Sequence, residues 1–435
     1  MSLEIDSGGL IAPGRTPAVV HGSSSVPLLD LTLSELLDFQ CIRYGSRECV
    51  VIPWTGARWT YDFLKQESIH IAKALLERGI RPGDRIAIMA GNCEQYVSVF
   101  FACMRIGAIL VILNNTYTAS EASYALGFTA QLSRKPGFVK EVVILRNSSG
   151  RFTAYRKLVD LGATLSDEKL LSVAAQFTAN DTCNLQFTSG TTGHPKAAML
   201  THHRFIGDRL AFTEVDVLCC PPPLFHCFGL VIGLLACITH GAKVIYPTET
   251  FDAAACLRAI SEERCTALHG VPAMFDSIFS LPWPEDFDCS RLRTGMIAGA
   301  PIPRHLMELM VNDLGMTEFV SSYGLTEASP TCFNTFHDDS IDTKMNTVGH
   351  VMPFAHAKVV DREGRTLSVG QRGELCMAGY QLQRGYWKNQ EKTDEVMVRD
   401  EAGVLWLKTG DEAIINKDMT CTITGRFKDI IIRGT

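Results

Sequence analysis

The sequence predicts an α/β protein: two doubly wound, mainly parallel sheets with flanking helices, plus a small antiparallel, barrel-like β subdomain. Three observations carry this expectation. Between Arg85 and Leu113, strand, helix and strand patterns follow one another at β-α-β spacing. The rhythm returns between about Val215 and Ser321. After about Val348 it gives way to short strands broken by Gly and Asp.

Each element has its own local reason. Residues 1–30 are rich in Gly, Ser and Pro and read as an irregular surface segment. The α/β core is expected over 31–347. It opens with a helix whose Leu33, Leu36 and Leu37 share one face. Trp59-Thr60-Tyr61 precede a helix over about Phe63–Arg78, closed by Gly79. Arg85–Met89 reads as a buried strand, Tyr96–Arg105 as a helix and Ala108–Leu113 as the next strand. Strands at Val215–Cys219 and Lys243–Tyr246 flank an apolar helix at Leu230–Cys237. Thr266–Leu268, Thr294–Ile297 and Glu318–Ser321 continue the series, which implies helices on both sheet faces. The β subdomain is expected over 348–424, with strands at Ala357–Val360, Gly373–Ala378, Val404–Lys408, Glu412–Asn416 and Thr420–Thr424.

Composition narrows the class. The 435 residues are 46% hydrophobic and 20% charged, as in a globular enzyme. A net charge of -6 gives no basic surplus for nucleic acid or an anionic membrane. Fifteen cysteines without regular spacing read as free thiols in a reducing compartment rather than a disulfide framework or a zinc site. The acidic N-terminus has no apolar signal core. The longest apolar run, Leu230 to Ile238, is far short of the ~20 residues of a membrane span. The expected location is the cytoplasm, or the peroxisome if the natural C-terminus lies beyond Thr435.

The densest chemistry lies in Thr188-Ser189-Gly190-Thr191-Thr192-Gly193-His194-Pro195-Lys196. Hydroxyls and turn amides donate to anion oxygens, glycines let the backbone approach, and lysine adds a point charge. The group suits a polyphosphate, and its spacing differs from a Walker A loop.

This loop resembles the phosphate loop of the adenylate-forming (AMP-binding) superfamily, in its acyl-CoA synthetase branch. Four further motifs follow in that family's order. Ser322-Tyr323-Gly324-Leu325-Thr326-Glu327 resembles its adenine and magnesium motif, and Ala298-Gly299-Ala300-Pro301 its adenine wall. Thr409-Gly410-Asp411 resembles its ribose motif, and Gly425-Arg426-Phe427-Lys428-Asp429 its hinge. The resemblance implies that a carboxylate attacks the α-phosphorus of ATP, pyrophosphate leaves, and the acyl group passes to CoA.

It also implies residue roles. Thr188, Ser189, Gly190, Thr191, Thr192, Gly193 and Lys196 would hold the β- and γ-phosphates. Gly299, Ala300, Pro301, Tyr323 and Gly324 would enclose adenine. Thr326 and Glu327 would serve the α-phosphate and a Mg2+ ion, for which hydroxyl and carboxylate oxygens are suitable hard ligands. Asp411 would accept from the ribose hydroxyls, and Arg426 would reach the ribose or the α-phosphate. Ala197 stands where the family usually has glycine. Pro221–Gly229 resembles the segment bordering the acyl pocket, with His226 where the carboxylate enters. Nothing acidic lies between Pro221 and Thr248, so no group pairs the ammonium of an amino acid. A plain carboxylic acid is expected, and Phe225, Phe228, Met296 and Ile297 suit an acyl or aryl chain.

Three expectations concern missing parts. After Ala122–Phe128 and after His203, the chain is shorter than relatives by a strand and helix and by part of a helix. Lys428 matches the hinge, so the family's C-terminal lid domain, with its catalytic lysine and part of the CoA tunnel, is not expected within residues 425–435. Such a polypeptide is expected to bind ATP weakly and to turn over little. A carrier-protein thiol as acceptor, or a non-catalytic nucleotide-binding remnant, are the alternatives to a CoA ligase.

Overall fold

We describe the protein from a computed structural model, which covers residues 16–25, 28–129, 139–147, 150–188, 195–202 and 211–427. Inside the segment expected to be irregular, β1 (Val19–His21) forms a short strand. α1 (Leu33–Tyr44) buries Leu33, Leu36 and Leu37 as the spacing predicts, and a Thr32/Glu35 capping box starts it. β2 (Glu48–Ile52) and β3 (Ala57–Thr60) lead into α2 (Tyr61–Glu77). This helix begins ahead of the expected start because the Thr60 hydroxyl accepts from the Phe63 amide. β4 (Arg85–Met89), α3 (Glu94–Arg105) and β5 (Ile109–Leu113) make the predicted β-α-β unit, with parallel pairing from Arg85↔Ile109 to Met89↔Leu113.

β6 (Val143–Ile144) and β7 (Thr153–Ala154) pair with each other. β8 (Thr182–Thr188) lies parallel beside β5, and β9 (Lys196–Thr201) returns antiparallel to β8. The first sheet therefore runs β4-β5-β8-β9. The second is built from β10 (Val217–Cys219), β11 (Lys243–Ile245) and β12 (Ala267–Leu268), in the order β12-β10-β11-β2-β3. Bridges at Ala267↔Thr294 and Gly270↔Ile297 carry it on to β13 (Met296–Ala298). β13 pairs in parallel with β14 (Val320–Gly324), which β15 (Thr331–Asn334) and β16 (His350–Val351) follow antiparallel. α2, α3 and the apolar segment at Phe228–His240 pack into one large core against these sheets.

That apolar segment departs from the expected α-helix at Leu230–Cys237. It is a π-helix over Phe228–Leu235 that tightens into an α-helix at Ala236–His240 and closes at Gly241, φ 74°. Its backbone lies against its neighbours. A Cβ on Gly229 would meet the Pro223 carbonyl oxygen at 2.3 Å, and one on Gly233 the Cys220 sulfur at 2.5 Å.

The small sheet runs β1, β17 (Ala355–Val360), β18 (Arg372–Gly379), β20 (Leu405–Ile415) and β19 (Met397–Arg399), with β21 (Cys421–Arg426) on β20. All its pairings are antiparallel, as expected. Two details differ from the sequence reading. β1 joins the first thirty residues to this sheet, pairing Val19↔Lys358 to His21↔His356. The two strands expected at Val404–Lys408 and Glu412–Asn416 are one. Gly410, at φ 75°, takes the chain through Thr409-Gly410-Asp411, and Thr409 braces the irregularity by donating to the Leu375 carbonyl. All fifteen cysteines are free thiols, most of them buried.

Candidate active site

Side-chain contacts bring several of the sequence motifs together: Tyr323 and Arg426 meet at Asp411, and Glu327 and Lys196 meet at Tyr386. Tyr323 and Gly324 end β14. Beside them, Gly299, Ala300 and Pro301 form an exposed turn just beyond β13, and Gly299 takes φ 92°. Gly324 has no room for a side chain: a Cβ there would meet the Pro330 carbonyl oxygen at 1.8 Å.

Asp411 anchors the next layer. The Tyr323 hydroxyl donates to Asp411 Oδ2 at 2.5 Å, and Arg426 Nε donates to Oδ1 at 2.6 Å. Direct β20–β21 pairing of Asp411 with Arg426 sets the second contact. The carboxylate side chain is 4% exposed and the arginine 53%. Each oxygen keeps a further lone pair for another donor. Burial, with Cys332 and Asp411 nearby, pushes the Tyr323 phenol well above its ordinary range, so it remains a donor.

Described residues bound the proposed phosphate motif at both ends. Thr188 ends β8, Lys196 begins β9, and the two are paired. Ser189, Gly190, Thr191, Thr192 and Gly193 lie outside the described residues, as does Lys428 and the chain just before 139 and after 202. The Thr188 hydroxyl is buried and has no hydrogen-bond partner among the described residues. Lys196 Nζ stands 4.4 Å from the centroid of the Tyr386 ring.

Thr326 and Glu327 share one 3-10 turn, Thr326–Ala328. Glu327 Oε1 accepts from the Tyr386 hydroxyl at 2.7 Å, and the Glu327 carbonyl accepts from the Gln383 amide at 2.7 Å. A half-buried carboxylate with a hydroxyl one residue away is a donor set that fits magnesium.

The opposite wall is apolar. Phe228 and Met296 are buried within the large core, Ile297 packs into the adjoining one, and Phe225 is half-buried. His226 is exposed to solvent. A charged Cys227 would raise His226, and His226 and Thr326 pull the buried Cys227 thiol down against the upward push of burial. The Phe228 amide donates to His226 Nδ1 at 3.1 Å, a place an imidazolium would fill with its own hydrogen. That contact suits the tautomer that carries its proton on Nε2. A second histidine lies behind it. His269 Nδ1 accepts from the Met296 amide at 3.0 Å, and Nε2 faces the Ile232 carbonyl at 3.3 Å. Burial lowers it to about 4.

Two of these residues were not singled out in the sequence. Tyr386 sits in Gly385-Tyr386-Trp387, whose only signal is a glycine before two aromatics. His269 is one polar residue beyond a short apolar strand.

Comparison with known proteins identifies the family and the fold. The fold is that of a solved anthranilate CoA ligase, AuaEII, in complex with anthranoyl-AMP, at TM-score 0.80, 22% identity, 93% of this chain and 80% of that one. Among curated relatives, acyl-CoA ligase sidI of Beauveria bassiana is 60% identical over 96% of this chain and 77% of its own length. Acyl-CoA ligase sidI of Aspergillus fumigatus is 56% identical over 98% of this chain and 78% of its own. The AMP-binding enzyme family model matches residues 37–387, and the chain belongs to that family.

Proposed function

We propose that the crevice activates a carboxylic acid on ATP, with the roles assigned below, inside a protein whose activity is that of an AMP-forming acyl-CoA ligase. The acid's carboxylate oxygen attacks the α-phosphorus, the bond to pyrophosphate breaks, and an acyl-adenylate forms. The CoA sulfur then attacks the adenylate carbonyl, and AMP leaves. Such transfers are catalysed by positioning and charge stabilisation.

Lys196 and the Thr188 hydroxyl hold the phosphate tail. Tyr323 faces adenine, which Gly299, Ala300, Pro301 and Gly324 border. Asp411 accepts from the ribose through its unused lone pairs, and Arg426 reaches the ribose or the α-phosphate. Thr326 and Glu327 would hold a magnesium ion, which supplies neutralisation of the phosphate charge. His226 donates from Nε2 to the incoming carboxylate. The acid is a plain one, acyl or aryl, because the Pro221–Thr248 stretch offers no carboxylate to an ammonium.

The observation that carries this reading is the Tyr323–Asp411–Arg426 network, which joins three motifs distant in sequence through hydrogen bonds. Exchange of labelled pyrophosphate into ATP, with a panel of carboxylic acids, tests it. Acid-dependent exchange that Lys196→Ala abolishes is expected. Magnesium-dependent ATP binding without exchange for any acid would leave only a nucleotide-binding protein.

A further inference from the structure

We propose that Tyr386 is a positioning residue that holds the phosphate-side lysine and the metal-side carboxylate in place through one side chain. The inference rests on the residue roles proposed above for Lys196 and Glu327.

The chain around Tyr386 is laid along β9 as an extra short strand. The Arg384 amide donates to the Met199 carbonyl at 2.9 Å, the Met199 amide to Gly385 at 3.0 Å, and the Trp387 amide to Ala197 at 2.8 Å. Gly385 makes this close approach possible. It takes φ 130°, and a Cβ there would meet the Thr393 side chain at 2.9 Å. The Thr393 hydroxyl in turn accepts from the Tyr386 amide at 2.9 Å. The backbone of Tyr386 is therefore fixed against the strand that Lys196 begins.

The side chain, 3% exposed, then meets two opposite charges with two different parts of itself. Its π face lies under Lys196 Nζ at 4.4 Å, a cation–π contact. Its hydroxyl donates to Glu327 Oε1 at 2.7 Å, a charge-assisted bond. Burial and the Glu327 charge push the phenol above its ordinary range, so it stays protonated across the working pH. Engaging one carboxylate oxygen sets the Glu327 rotamer and directs the other oxygen to a cation. The ring holds Lys196 at the start of β9. A tyrosine that merely filled the core would need only some acceptor for its hydroxyl.

Tyr386→Phe and Tyr386→Leu in the 435-residue chain separate the two contacts. ATP is titrated calorimetrically with magnesium and again with a chelator, and thermal melts are recorded. Tyr386→Phe keeps the ring, so chelated ATP affinity should stay within about twofold, while the gain on adding magnesium falls about tenfold. Tyr386→Leu should also lose about threefold or more without metal. A full magnesium-dependent gain in Tyr386→Phe overturns the proposal, as does an equal loss in both conditions that tracks the melting temperature. Should Tyr386→Leu fail to fold, Tyr386→Phe decides alone, since it removes one oxygen. Wild-type chain that binds no ATP in either condition sinks the site reading itself and this inference with it.

Discussion

The two walls of the crevice treat charge in opposite ways. On the side proposed for the nucleotide, the charged groups Lys196, Glu327, Asp411 and Arg426 are each in contact with a partner of defined geometry. On the apolar side the histidines are engaged by backbone groups. The Phe228 amide occupies one His226 nitrogen, and burial holds His269 uncharged between two backbone groups. The contrast shows how one cleft can serve a polyanion and an apolar acid together. Under the proposed roles, charge gathers on the side that would take the phosphates, and the other side is spared the cost of burying an unpaired ion.

Substitutions that cross this division test it. The largest effect is expected from Lys196→Ala, which removes the one tail-side cation identified here. Pyrophosphate exchange should fall about a hundredfold or more with little change in melting temperature. An unchanged rate would break the assignment of the nucleotide wall. Asp411→Ala comes next. It strips Tyr323 and Arg426 of their shared acceptor, and ATP affinity measured by titration should drop about 10- to 100-fold, with a lower melting temperature.

The apolar wall should answer to pH rather than to nucleotide. His269 sits at about 4 when folded, below the ordinary value near 6.5, so the unfolded chain takes up its proton first. Stability should therefore decline as pH falls from about 6.5 towards 4, by up to about 1.4 kcal/mol per unit from this residue. Melting temperatures at pH 7, 6 and 5 would show the decline, and His269→Gln should flatten it from a lower start. The same slope in both proteins would remove His269 as its source. The smallest effect is expected from Phe225→Leu. The half-buried ring should alter the ranking of acids by a few-fold in kcat/KM while the KM for ATP stays put.

The nucleotide wall was far more legible in the sequence than the apolar wall. Tyr323, Thr326, Glu327, Asp411 and Arg426 stand in compact motifs, where local order fixes which groups can act together. The fold then had only to bring the motifs to one crevice, and strand periodicity placed most of the strands that do so. Tyr386 was not legible, because its meaning comes from Glu327, 59 residues away in sequence. Nor was the joining of two expected strands into β20. Gly410 and Asp411 read locally as a break, and the β18 pairing does skip residues 409–411, but it resumes on both sides while β21 takes up Asp411, so the strand continues. The π-helix was hidden for a similar reason. Its apolar run has helical composition, and only the contacts of Gly229 and Gly233 with neighbouring residues show how tightly it must pack.

The hold on Asp411 bears on which sugars the proposed site would accept. Asp411 is paired with Arg426 of β21, and Tyr323 and Arg426 grip its two carboxylate oxygens, so it has little slack to follow a ligand. A 2′-deoxynucleotide would leave its lone pair facing a void instead of drawing the residue after it. Discrimination between ribose and deoxyribose would then come from stiffness rather than from a steric gate.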